Sequence, residues 1–88
     1  MQKSIYTAEY GVFARRLREA RNAAGLKQVE LAARLGKTHS YVSRVENSQI
    51  RVDIIELREI CTAIGLQFRE FVAALEDELE GLAPETPD

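Results

Sequence analysis

The sequence predicts one all-α domain of five helices. Three observations point there. Apolar residues recur at spacings of three and four throughout, with no stretch of strand-like alternation. Glycines fall just past the ends of the apolar-periodic segments, where a left-handed residue closes a helix. The chain has 88 residues, 45% of them hydrophobic and 30% charged, which suits one modest core and neither a disordered nor a multi-domain chain.

The first helix is expected from Ala8 to Ala24, with Thr7 as N-cap and Tyr10, Phe13, Leu17, Ala20 and Ala24 facing inward. Gly25 ends it and Leu26 folds back onto its last turn. A short second helix, Gln28 to Leu35, buries Leu31, Ala32 and Leu35 and stops at Gly36. A third starts after Thr38 and runs to Glu46 with Val42 and Val45 inward. After a loop from Asn47 to Val52, Asp53 and Glu56 form a capping-box-like pair that opens a fourth helix. Its inward residues are Leu57, Ile60, Cys61 and Ile64, and Gly65–Leu66 repeats the stop of the first helix. The fifth helix spans about 67–79. Residues 1–80 are therefore read as the folded domain and 81–88 as an acidic, disordered tail.

Composition excludes several classes. One cysteine, Cys61, leaves no internal disulfide and suits a reducing cytoplasm. One histidine, His39, beside one cysteine leaves no zinc cluster, and no cofactor or metal is expected. No apolar run approaches the roughly 18–20 residues that cross a bilayer, and no secretory signal pattern opens the chain. No nucleophile–base arrangement or phosphate-cradling glycine loop indicates an enzyme.

The net charge of −2 conceals an asymmetry. Residues 1–52 hold ten Lys/Arg against four acids, whereas residues 53–88 hold two Arg against ten acids. A basic front is compatible with nucleic acid at one end and equally with an ordinary solvated surface, so charge alone does not decide.

The segment Gln28–Glu46 is more specific. Two helices this short are unstable alone and need the first and fourth as a scaffold. Short helix, glycine turn and second short helix make a helix-turn-helix arrangement, which offers one helix to the DNA major groove. The runs Leu17-Arg18-Glu19-Ala20-Arg21, Gly25-Leu26-Lys27-Gln28-Val29-Glu30-Leu31-Ala32, Leu35-Gly36 and Tyr41-Val42-Ser43-Arg44-Val45-Glu46-Asn47 stand in order. Together with Arg51-Val52-Asp53-Ile54-Ile55-Glu56-Leu57, they resemble the phage-repressor/Cro-like, or xenobiotic-response-element, helix-turn-helix family over about residues 13–66.

The resemblance implies a lambda-repressor-like fold and a cytoplasmic, nucleoid-associated regulator of bacterial or phage origin that binds double-stranded DNA. It implies base-reading positions at His39, Ser40 and Arg44, with Thr38, Tyr41 and Ser43 beside them. Gln28 falls at a phosphate-contacting position, and Asn47 and the loop through Arg51 at backbone-contacting ones. Arg21 and Glu46 match a pair that bridges the first helix to the end of the recognition helix. Three residues depart from the pattern: Lys27 replaces the usual Ser or Thr cap, Ser48 a frequent glycine, and His39 a common glutamine.

Helical geometry gives a compatible picture. Residues His39, Ser40, Ser43 and Arg44 share one stripe while Val42 and Val45 face the scaffold. Arginine pairs bidentately with guanine, and a helix start such as Gln28 suits a phosphate. Tyr41 either packs its ring on the scaffold or touches the DNA backbone. The Arg21–Glu46 pair is expected to be partly buried and structural.

On the fifth helix, Phe68, Phe71, Val72, Leu75, Leu79 and Leu82 form a narrow apolar seam. Part of it closes the core. The rest, from Phe71 through Leu75, Leu79 and Leu82, is expected to meet a second copy in a homodimer, the alternative being a frayed end. A second reading of the chain is an antitoxin-like module whose acidic C-terminal region binds a partner protein as well as DNA.

Overall fold

The computed structural model describes residues 7–82. Among them are five helices and no strand: α1 (Ala8–Ala23), α2 (Gln28–Leu35), α3 (His39–Glu46), α4 (Ile54–Ile64) and α5 (Phe68–Glu80). Helix α1 packs on α3 and α5, α2 on α3 and α4, and α4 on α5. The two short helices are thereby clasped between the longer ones.

The boundaries follow from local chemistry. The Thr7, Thr38 and Asp53 side chains each accept the backbone N–H three residues on, removing one orphan donor from α1, α3 and α4. In α4 the cap is reciprocal, because the Glu56 carboxylate accepts the Asp53 N–H at 2.9 Å. Lys27 has no acceptor on its side chain, so α2 keeps only half of this device: Glu30 accepts the Lys27 N–H at 2.7 Å.

Helix α1 ends one residue before the expected Ala24. That residue is the C-cap and is exposed, while Ala14 is buried in the core instead. The closure at Gly25 explains the shift, since the Leu26 N–H bonds back to the Arg21 carbonyl at 3.1 Å and ends the helical hydrogen bonding. The same reverse bond closes α2, from Lys37 to Ala32 at 2.9 Å, with Gly36 at φ 68°. It closes α3 as well, from Gln49 to Arg44 at 2.8 Å, but there the left-handed residue is Ser48 at φ 59°.

One core unites the helices. It comprises Phe13 and Leu17 of α1, Leu31 and Ala32 of α2, Val42 and Val45 of α3, Leu57, Ile60, Cys61 and Ile64 of α4, and Phe71 of α5. Each of the two valines is 2–3% exposed, so each holds α3 to the scaffold by about 1.5–3 kcal/mol. The Phe13 and Phe71 rings meet edge to face with centroids 6.3 Å apart. Phe71, grouped with the partner-facing seam in the sequence, is therefore part of this chain's own core. Burial pushes the Cys61 thiol up, which keeps it protonated and unreactive.

The loop between α3 and α4 is pinned by Tyr10. Its hydroxyl donates to the Ile50 carbonyl and accepts the Val52 N–H, both at 3.2 Å. At the other end of the chain Gly81 caps α5 and Leu82 is half-buried. The remaining residues assigned to an acidic tail, 83–88, lie outside the described part, as do residues 1–6 of the expected domain.

The left-handed conformation at Ser48 yields a stability prediction. A non-glycine residue there costs roughly 1–2 kcal/mol, part of which glycine returns through its larger unfolded-state entropy. Ser48→Gly should therefore raise unfolding free energy by about 0.5–1 kcal/mol in a urea titration. A loss of stability would show that the Ser48 side chain contributes more than its backbone conformation costs.

Candidate nucleic-acid interface

The site begins with a buried ion pair. Arg21 and Glu46 are 7% and 4% exposed, the two charged residues of the described chain that are buried. Arg21 grips the Glu46 carboxylate at both oxygens, from Nε at 2.6 Å and from Nη2 at 2.9 Å. Its Nη1 donates to the Leu26 carbonyl at 2.7 Å, so one guanidinium ties α1 to the turn before α2 and to the last residue of α3. Burial of two charges is tolerable here because no buried side-chain N or O in the described residues lacks a partner.

Gln28 extends this network to the surface. Its Nε2 donates to Glu46 Oε1 at 2.9 Å, and its Oε1 lies 2.8 Å from Nε2 of His39. The first residues of α2 and α3 are thereby joined side chain to side chain. The sequence gives no sign of this link, because it depends on the angle at which α2 meets α3.

Around it stand the remaining expected residues. His39, Ser40 and Arg44 are exposed at the N-terminal and outer faces of α3, and Ser43 is half-buried beside them. Thr38 is exposed, with its hydroxyl oxygen occupied in capping α3 at 3.1 Å. The Tyr41 ring packs against the core with Lys37 Nζ 5.2 Å from its centroid. Desolvation, and then the carboxylates of α4, push the Tyr41 phenol up, so it remains a neutral donor. Asn47 turns back to donate to the Ser43 carbonyl at 2.9 Å. Arg51 lies over the Tyr10 ring, 5.5 Å from its centroid.

Charge is distributed unevenly over the surface. Glu78 of α5 bridges Arg15 and Arg16 of α1, and Glu19 takes Arg15 as well, so the basic and acidic parts of the chain neutralise one another there. Arg34 reaches away from α3 to the Ala63 carbonyl at 2.8 Å. By contrast, among the described residues Lys27, Lys37, Arg44 and Arg51 have no carboxylate within ion-pair distance. Lys37, Arg44 and Arg51 lie in α3 or the segments flanking it, while Arg18, Arg34, Arg58 and Arg69 on the other helices likewise have no carboxylate within that distance. The described residues contain no group of three or more His, Cys, Asp or Glu able to hold a metal, and no helix long and apolar enough to cross a membrane.

Two short helices at a glycine turn, the second exposed and flanked by free cations, define a helix-turn-helix DNA-binding regulator. Comparison with known proteins agrees. A helix-turn-helix family model matches residues 17–71. An XRE-family like protein from Pseudomonas syringae pv. tomato is 43% identical at a TM-score of 0.78, over 85% of this chain and 92% of its own. The restriction-modification controller protein C.AhdI of Aeromonas hydrophila is 41% identical at a TM-score of 0.63, over 67% of this chain and 86% of its own. No curated protein sequence matches. The chain belongs to the XRE-type helix-turn-helix family.

Burial of the ion pair sets the size of its effect. Removing one partner strands the other charge, at about 3–5 kcal/mol, against about 0–1 kcal/mol for a surface pair. Arg21→Ala and Glu46→Ala should each lose stability at the higher figure in denaturant unfolding. Losses below about 0.5 kcal/mol in both would contradict the burial described above.

Proposed function

We propose that the protein is a homodimeric, sequence-specific regulator that reads a pseudo-palindromic double-stranded operator with α3 of each copy. The observation that carries this reading is the division of α3: Val42, Val45 and Glu46 are buried, while His39, Ser40 and Arg44 face outward. Short polar side chains at the helix start permit close approach to base edges, and Arg44 supplies the planar donor fork that suits guanine.

Backbone contacts are assigned to the flanks. Gln28 uses one amide hydrogen on Glu46, and the second is free for a phosphate at the start of α2. Thr38, Tyr41, Asn47 and Arg51 border the stripe on its remaining sides, with Ser43 inside it. The cations Lys27, Lys37, Arg44 and Arg51, none of them paired with a carboxylate among the described residues, give the face its long-range attraction for DNA. We assign it to the cytoplasm as a nucleoid-associated protein of bacterial or phage origin. The likeness to a restriction-modification controller protein supports regulation of transcription as the outcome of binding.

Dimerisation is assigned to the C-terminal half of α5. Leu75 and Leu79 line a groove with Tyr10, Phe13, Val52, Ile54 and Leu57, and Ile54 at its rim is 60% exposed. Leu82 and Val72 continue the apolar strip beyond it. A single helix reads few base pairs, whereas two copies related by a two-fold axis engage half-sites roughly 34–36 Å apart.

Two measurements test these assignments. Arg44→Ala should weaken binding to the preferred site by about 1–3 kcal/mol and relax one base position, as read by selection from a random DNA pool. An unchanged ranking of sequences would remove Arg44 from the base readers. Changing Ile54 and Leu79 together to Glu should give a folded monomer in sedimentation at micromolar concentration. Its affinity for a palindromic site should fall far more than for a half-site. A wild-type chain that stays monomeric on DNA would contradict the dimer.

A further inference from the structure

The hydrogen-bond chain from Arg21 to His39 has a direction, and the direction is fixed at its buried end. An ionised carboxylate only accepts. The end of the Gln28 amide that meets Glu46 at 2.9 Å is therefore its NH2, and the end that meets His39 at 2.8 Å is its carbonyl oxygen. A carbonyl oxygen also only accepts, so Nε2 of His39 carries a hydrogen. Nδ1 has no partner among the described residues, and the side chain is exposed at the first position of α3.

We propose that the buried Arg21–Glu46 pair, acting through Gln28, holds neutral His39 as the Nε2–H tautomer, so that its Nδ1 is an acceptor that selects a base bearing a major-groove amine. That base is adenine, through N6, or cytosine, through N4. The inference rests on the reading of α3 as the recognition helix and adds the chemical class of base that one residue takes.

The test is selection from a random double-stranded DNA pool with the full chain at about pH 8, where imidazoles are ordinarily neutral. One position per half-site should favour adenine or cytosine on the contacted strand by about three- to tenfold. His39→Ala should flatten that position while the others hold.

The outcomes separate the two claims. If His39→Ala changes no position, His39 does not read bases and the proposal falls with that reading. If it flattens one position, yet wild type favours guanine or thymine there, base reading stands and the assigned polarity is overturned. Nitrogen NMR of the free protein gives an independent check, because His39 is the sole histidine of the chain. An Nδ1–H imidazole would also overturn the assignment.

Discussion

The arrangement depends on the buried contact between Arg21 and Glu46. Two short helices have little stability of their own, and hydrophobic packing alone leaves a helix free to slide or rotate by fractions of a turn. A bidentate pair does not tolerate such movement. Its Nε and Nη2 bonds fix the last residue of α3 against α1, and its third bond, to the Leu26 carbonyl, fixes the turn that launches α2. A domain of this size has a total stability of only about 5–15 kcal/mol, so stranding either charge in the core would remove a large part of it.

The same carboxylate links the core to the surface proposed to read DNA. Glu46 receives Arg21 on one side and Gln28 on the other, and Gln28 in turn meets His39 at the surface. Orientation set in the core is thus carried outward by hydrogen bonds that have only one chemically allowed direction. Elsewhere Glu78 pairs with Arg15 and Arg16 of α1, whereas Lys37, Arg44 and Arg51 in and around α3 have no carboxylate partner among the described residues. Local positive charge, more than the net charge of −2, supports the proposal that this surface meets DNA.

Much of the fold was legible because its punctuation is chemical. Thr7, Thr38 and Asp53 at the starts, and Gly25, Gly36 and Gly65 at the ends, bracket the helices to within a residue. The exception is Ala24, which is in phase with the apolar stripe yet stands beyond the last helical hydrogen bond. Ala14 was missed because a packed helix buries a stripe wider than a three–four seam. Phe71 shows a different limit: periodicity identifies an apolar face, not whether the face meets this chain or another. For the site, the positions of His39, Ser40 and Arg44 followed from the helix register and the family resemblance. The Gln28 link did not, since it joins two helices at an angle the sequence does not encode locally.

The central claim is that the Arg21–Glu46 pair positions α3, the proposed recognition helix, instead of merely adding stability. Replacing both residues by Met separates these roles, because swapping a whole buried ion pair for apolar side chains is often neutral or stabilising by about 1–4 kcal/mol. Unfolding and selection from a random DNA pool should be measured on the same double variant. The account predicts a folded protein with much of its stability retained, unspecific salt-sensitive DNA binding, and a weakened base preference at the positions read by α3. A double variant that folds and ranks DNA sequences as the wild type does would contradict it.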